Sequence, residues 1–233
     1  MEGCDRYRVG SRPYDRGMTQ DHRSGNSGER RGRGRPPGSA TGSGLGTRER
    51  ILEQAIELFA AQGFHGTGVA DIGSRAELHP GALYYHIGSK EELLWLILRN
   101  YTSVALTGAR RIAESDLDPV AKLRELVAFH VRLIADHRRE VLIQMRDADA
   151  LTGERAAELQ LLRRRVQACW QSVLDEGHRK GQLRSADRVV VNSLLGMVNI
   201  VATWYRPDRG DTPERAADQI SALVLNGLAV RGD

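Results

Sequence analysis

The chain has 233 residues, 40% of them hydrophobic and 27% charged, with a net charge of +4 and two cysteines, Cys4 and Cys169. That length holds a small unit plus a larger one, and two cysteines exclude a disulfide framework and fit a reducing setting. The longest apolar stretch, Val189 to Trp204, carries Asn192, Ser193, Asn199 and Thr203 and is too short and polar to span a bilayer.

Residues 1–50 hold eleven arginines against six acidic residues, so the positive charge lies mostly in an N-terminal extension. Residues 1–46 also hold eleven glycines and almost no branched apolar residues. Such a segment buries too little surface to offset its ordering entropy, and disorder is expected there. From Thr47 the pattern becomes helical. The periodicity predicts helices over about 47–62, 68–75, 80–87, 89–113, 119–136, 138–150, 154–179, 187–205 and 213–230. Asp118-Pro119 and Thr212-Pro213 are start signals, a cap followed by proline at the first helical position. No stretch alternates as a strand would, so the fold class is all-α.

Residues 67–93, TGVADIGSRAELHPGALYYHIGSKEEL, are the most specific segment. Val69, Ile72 and Ala76 share one helical face; Glu77-Leu78-His79 forms a polar break; a second compact helix follows with Leu83, Tyr84, Tyr85 and His86. Ile87 closes the small core and Gly88 ends the helix. Ser89 caps the next helix, with Glu92 three residues later completing a capping box. Two helices joined by a tight turn form the geometry that sets the second into a DNA major groove.

The segment resembles the DNA-binding domain of the TetR family of one-component transcriptional regulators. Thr67, Val69, Asp71-Ile72, Ala76, Gly81 to His86 and Ser89 to Leu93 carry the likeness, and Arg50 to Phe64 resembles the family's first helix. Four positions depart from the family's habit: Gly68, Gly73, Glu77 (often glycine) and Ile87 (often phenylalanine). The resemblance implies an N-terminal three-helix helix-turn-helix domain and a C-terminal helical domain for ligand binding and dimerisation. The expected boundaries are 1–46 for the basic extension, 47–93 for the DNA-binding domain and 94–233 for the rest. It further implies that Thr67 binds a phosphate, that Pro80, Gly81 and Ala82 lie nearest the base edges, and that Tyr84, Tyr85, His86 and Lys90 clamp phosphates. His79 reads as a turn residue or a base contact. Arg33-Gly34-Arg35-Pro36 resembles an AT-hook, an arm that inserts Arg33 and Arg35 into a narrow minor groove.

For the C-terminal half the resemblance implies a small-molecule effector in a cavity between helices, with Phe129, Met145, Trp170, Asn192 and Trp204 as its expected lining. Leu194, Val198 and Val201 on one helix, and Ile220, Leu223, Val224 and Leu228 on the last, give the expected interface of a homodimer on a palindromic operator. Asp147-Ala148-Asp149, the Arg163-Arg164-Arg165 helix and Trp204 to Pro207 are similar to TetR-family regulators of fatty-acid and sterol catabolism. That similarity implies an acyl-CoA thioester as effector. The arginine triple also reads as a solvated helix face.

No GxSxG, HExxH or phosphate-binding loop with its lysine occurs, which argues against an enzyme. No metal site and no cofactor is expected, since His130 and His137 lack tight ligand spacing. The expected partners are double-stranded operator DNA, a small-molecule effector and a second copy, with no membrane, in the cytoplasm. The alternative is a ligand-independent DNA-binding or adaptor protein using the same motif.

Overall fold

The computed structural model describes residues 46–79 and 85–228, and among them every regular element is a helix. The arm with Arg33 and Arg35, and the Pro80, Gly81, Ala82, Leu83 and Tyr84 segment, lie outside the described residues. In chain order the helices are α1 (Thr47–Gly66), α2 (Val69–Arg75), α3 (Lys90–Ala113), α4 (Pro119–Asp136), α5 (Arg138–Asp147), α6 (Gly153–Arg179), α7 (Arg188–Asn199), α8 (Val201–Trp204) and α9 (Pro213–Leu228). None of the described helices is long and apolar enough to cross a membrane.

Local chemistry starts the helices where the sequence signals them. Ser89 Oγ accepts the Glu92 N–H (3.0 Å) at the start of α3. Asp118 accepts from Val120 and Ala121 ahead of Pro119, Asp187 accepts from Val189 (2.7 Å), and Thr212 Oγ from Arg215 (3.2 Å). Each satisfies amide donors that a helix leaves orphaned at its N-terminus. The expected reciprocal half of the box at Ser89 is absent from the bonds formed. Glu92 instead turns its carboxylate to Arg155 of α6 (3.4 Å). A longer reach to another helix therefore outcompetes the local bond.

Two expected helices end early. The one expected over 138–150 stops at Asp147 and tightens into a 3₁₀ turn over Ala148–Ala150. The one expected over 187–205 breaks at Ile200, where the Thr203 N–H (3.0 Å) and hydroxyl (2.7 Å) both donate to the Ile200 carbonyl. That three-residue bond replaces a step of the helical ladder and divides α7 from α8.

Ile51, Ala55 and Phe59 of α1 fall one turn apart and are fully buried, together with Ile72, Ile87, Leu93 and Leu94. This N-terminal core also takes in Ile143 of α5, Leu151, and Leu159 of α6. A second core gathers the C-terminal half of α3 with α4, α6, α7 and α9 around the fully buried Trp170. Gly108 lets α3 close onto α4, because a Cβ there would overlap the Phe129 ring.

The turn after α2 holds Glu77 at φ +58°, the left-handed region that costs a residue with a Cβ. Glu77→Gly should therefore raise stability by about 1 kcal/mol, read as a higher midpoint in urea unfolding. A lower midpoint would show that the Glu77 side chain contributes more than its backbone strain costs.

Candidate functional site

At the N-terminal end the helix-turn-helix surface is assembled around the C-terminus of α1. Gly63, at φ +84°, turns the chain there. The Thr67 hydroxyl donates to the Gly63 carbonyl (2.7 Å), and Thr67 is 2% exposed. Its expected phosphate contact is thus corrected: the hydroxyl is spent inside. Lys90 spends two of its three N–H donors the same way. Its Nζ donates to the carbonyls of Phe64 and Thr67, both at 2.9 Å, and lies 4.4 Å from the Phe64 ring centroid. A cation there satisfies orphan carbonyls and suits the negative end of α1. Tyr85, in contrast, is 88% exposed, edge-on to His86. His79 is also exposed, and Ile87 faces inward.

A second clamp reaches the same helix from α5. Arg146 donates from Nη2 to the Phe59 carbonyl and from Nη1 to that of Ala60 (3.5 Å), while its guanidinium pairs with the buried Asp147 (3.0 Å). Further along, α3 and α6 are joined by polar contacts. Trp95 Nε1 (3.1 Å) and Arg99 Nε (2.9 Å) both donate to Glu158, and Glu91 accepts from the Thr152 N–H (2.9 Å).

The C-terminal half holds a cavity of about 530 Å³ between α3, α4, α5, α6 and α7. Tyr101, Thr102, Ala105, His130 and Val166 form its buried end. Arg164, Met145, Asn192 and Gly196 are exposed at its rim, with Arg163 half-buried beside them. Gln144 pairs through Oε1 with the Thr102 hydroxyl (3.2 Å). His130 Nε2 lies 3.3 Å from Asn199 Oδ1. Burial pushes the His130 pKa down to about 4, partly offset by that bond, so the imidazole is neutral at pH 7. Burial also raises the Tyr101 pKa and keeps its phenol protonated. Burial lowers the Arg163 pKa against the opposing pull of Asp149, yet a guanidinium stays charged.

Of the five residues expected to line this cavity, Met145 and Asn192 do. Phe129 packs instead against Gly108, and Trp170 is buried in the core. Trp204 borders a separate surface groove with α9. The core takes Phe129 and Trp170, and the surface takes Trp204. The polar lining, Tyr101, His130, Gln144 and Asn199, was missed. A histidine and an asparagine on otherwise apolar helix faces were the signal available. The expected dimer residues are also redistributed. Leu194, Val198, Val201, Ile220 and Val224 are buried in the chain's own core, and Leu228 is half-buried against it. Leu223 is 64% exposed and borders one groove with the exposed Trp204, and Ile200 is exposed as well. Among the described residues no three His, Cys, Asp or Glu side chains converge.

Lys90→Met strips two charged hydrogen bonds from buried backbone, so it should cost about 1.5–3 kcal/mol of stability and leave the salt slope of DNA binding unchanged. A slope smaller by about one would show that the third Lys90 N–H also holds a phosphate. His130 gives a pH dependence. Its folded pKa lies below the unfolded value near 6.5, so its contribution is complete above pH 6.5 and lost as pH falls toward 4. The loss is on the order of 3 kcal/mol. His137, whose pKa Glu140 raises, contributes with the opposite sign. His130→Gln should therefore destabilise less than wild type between pH 7 and pH 4.5; parallel losses would refute the assignment.

Comparison with known proteins fits this geometry. Residues 51–95 match the model for bacterial regulatory proteins of the tetR family, and residues 116–228 match a tetracyclin repressor-like C-terminal domain. The chain is 32% identical over 197 residues to the HTH-type transcriptional repressor KstR2 of Rhodococcus jostii, covering 83% of this chain and 97% of that protein. The solved structure of the ketosteroid transcriptional regulator KstR2 of Mycobacterium tuberculosis superposes with a TM-score of 0.75 at 27% identity, covering 83% of this chain and all of that one. AibR, solved in complex with isovaleryl coenzyme A and operator DNA, gives a TM-score of 0.70 at 26% identity, over 76% of this chain and 97% of that one. With its helix-turn-helix and its helical C-terminal domain both matched, the chain belongs to the TetR family, whose members are transcriptional regulators and not enzymes.

Proposed function

We propose that the protein is a homodimeric transcriptional repressor that leaves its operator when an acyl-CoA thioester occupies the cavity. The carrying observation is that cavity wall and α1 clamps share helices. Gln144 and Met145 of α5 line the cavity, and the next residue, Arg146, holds the carbonyls of Phe59 and Ala60. Tyr101 and Thr102 of α3 also line it, and Lys90 at the head of α3 holds those of Phe64 and Thr67. A ligand that favours a shifted α3 or α5 therefore moves the DNA-reading unit. A hundredfold loss of operator affinity requires only about 2.7 kcal/mol of preference for the shifted form.

The thioester reading is supported by Arg163 and Arg164 at the rim, which suit the phosphates of coenzyme A, and by the acyl-CoA bound to the similar AibR. The acyl part lies in the cavity, and most of the coenzyme lies outside it. The second copy docks on the outer face of α7 to α9, where Ile200, Trp204 and Leu223 are exposed and Gly196 and Gly227 permit close approach. Two recognition segments from Pro80 to His86, with Tyr85 on phosphate, then meet adjacent turns of one duplex in the cytoplasm. Arg33 and Arg35 add an arm in the minor groove.

Operator binding to the protein's own upstream region, followed by fluorescence anisotropy with isovaleryl-CoA, octanoyl-CoA and free coenzyme A, tests this. A thioester should raise the melting temperature and weaken operator binding about tenfold or more, and free coenzyme A should do neither. Arg163→Ala combined with Arg164→Ala should abolish the response. No effect of either thioester on melting or binding would overturn the reading.

A further inference from the structure

Tyr101 and His130 line the same cavity and are each 4% exposed. Tyr101 OH and His130 Nδ1 are both buried without a protein partner. A buried polar group left unpaired costs about 1–3 kcal/mol, so such atoms in a native fold call for a partner. We propose that the buried end of the cavity recognises a hydroxyl group on the effector, which accepts from the Tyr101 phenol and donates to His130 Nδ1. This rests on the acyl-CoA reading only for the rest of the ligand.

The ligand chemistry follows from which of these atoms donate. His130 is held neutral by burial, and Nε2 faces the carbonyl oxygen of Asn199 at 3.3 Å. In the tautomer that makes this bond, Nε2 carries the hydrogen and Nδ1 carries a bare lone pair, an acceptor. Tyr101 stays protonated, so it brings a donor. Asn199 thus fixes the sense of the histidine from the far side of its ring, and Trp170, packed edge-on with ring centroids 5.9 Å apart, backs it. One donor with one acceptor is the complement of an alcohol. A ketone satisfies the tyrosine alone, and a hydrocarbon satisfies neither. The effector class is therefore an acyl chain or alicyclic acid with a hydroxyl remote from the thioester, whose phosphates remain at the arginine rim.

The test uses the full-length protein and isothermal titration with octanoyl-CoA and its (ω−1)-hydroxy and (ω−1)-oxo derivatives. The hydroxy thioester should bind roughly 10-fold or more tighter than octanoyl-CoA, and the oxo thioester should fall between them, at about fivefold per hydrogen bond. Tyr101→Phe should remove the gain of the oxo derivative and cut that of the hydroxy derivative to the about fivefold of its remaining bond to His130. His130→Leu should remove only the advantage of hydroxy over oxo. A second pair, 2-octanol and 2-octanone, reads the buried end without any phosphate, and the alcohol should bind tighter. Equal binding of the three thioesters overturns the hydroxyl proposal and leaves the acyl-CoA reading standing. If no thioester binds but the alcohol is preferred, the acyl-CoA reading fails and the hydroxyl proposal stands. Absence of a preference for the alcohol in both series overturns the proposal outright.

Discussion

An α-helix ends with carbonyls that have no partner inside the helix, and at the end of α1 those acceptors are supplied from two other helices. Lys90 comes from the head of α3 and takes Phe64 and Thr67. Arg146 comes from the end of α5 and takes Phe59 and Ala60. Both are cations at the negative end of a helix dipole. Arg146 is balanced by the buried Asp147, and Lys90 by the face of Phe64. The orientation of the helix-turn-helix is thus set by charged donors at the end of a helix, and the hydrophobic contacts of Ile143, Leu151 and Leu159 hold the same junction from beneath.

The cavity is built from the same helices. Its walls divide by polarity along their depth. The rim carries guanidinium groups, and the floor carries a neutral imidazole and a phenol whose ionisation burial suppresses. A charged head and an apolar body with one polar tip fit that order. Residues 144 to 146 join cavity and α1 in the shortest form available: Gln144 and Met145 line the cavity, and Arg146 holds α1.

Much of the frame was legible because its causes are local. Ser89, Asp118, Asp187 and Thr212 start helices by bonding amides two or three residues on, and the periodic apolar residues name the buried faces. Legibility stopped where one residue had two possible employers. Thr67 and Lys90 carry the family's pattern for phosphate contact, yet the Thr67 hydroxyl and two of the three Lys90 N–H donors go to carbonyls of α1 and of the α1–α2 turn. The family resemblance makes Phe129 and Trp170 cavity walls, but Gly108 admits the first against the core and full burial claims the second. On α7 and α9, Leu194, Val198, Ile220 and Val224 form apolar stripes of the right period. A stripe does not say whether its partner is the same chain or a second copy, and here it is the same chain.

Fold class, the order and starts of the helices, and the helix-turn-helix with its family can all be read from the residues in order. Those follow from bonds and periodicities spanning a few residues. The packing of the helices sets which carbonyls Lys90 and Arg146 hold, and which polar residues meet at the floor of the cavity. Tyr101, His130 and Asn199 stand on three different helices, 98 residues apart at the extremes. Their common site is set by how those helices cross, and no spacing within the chain records it.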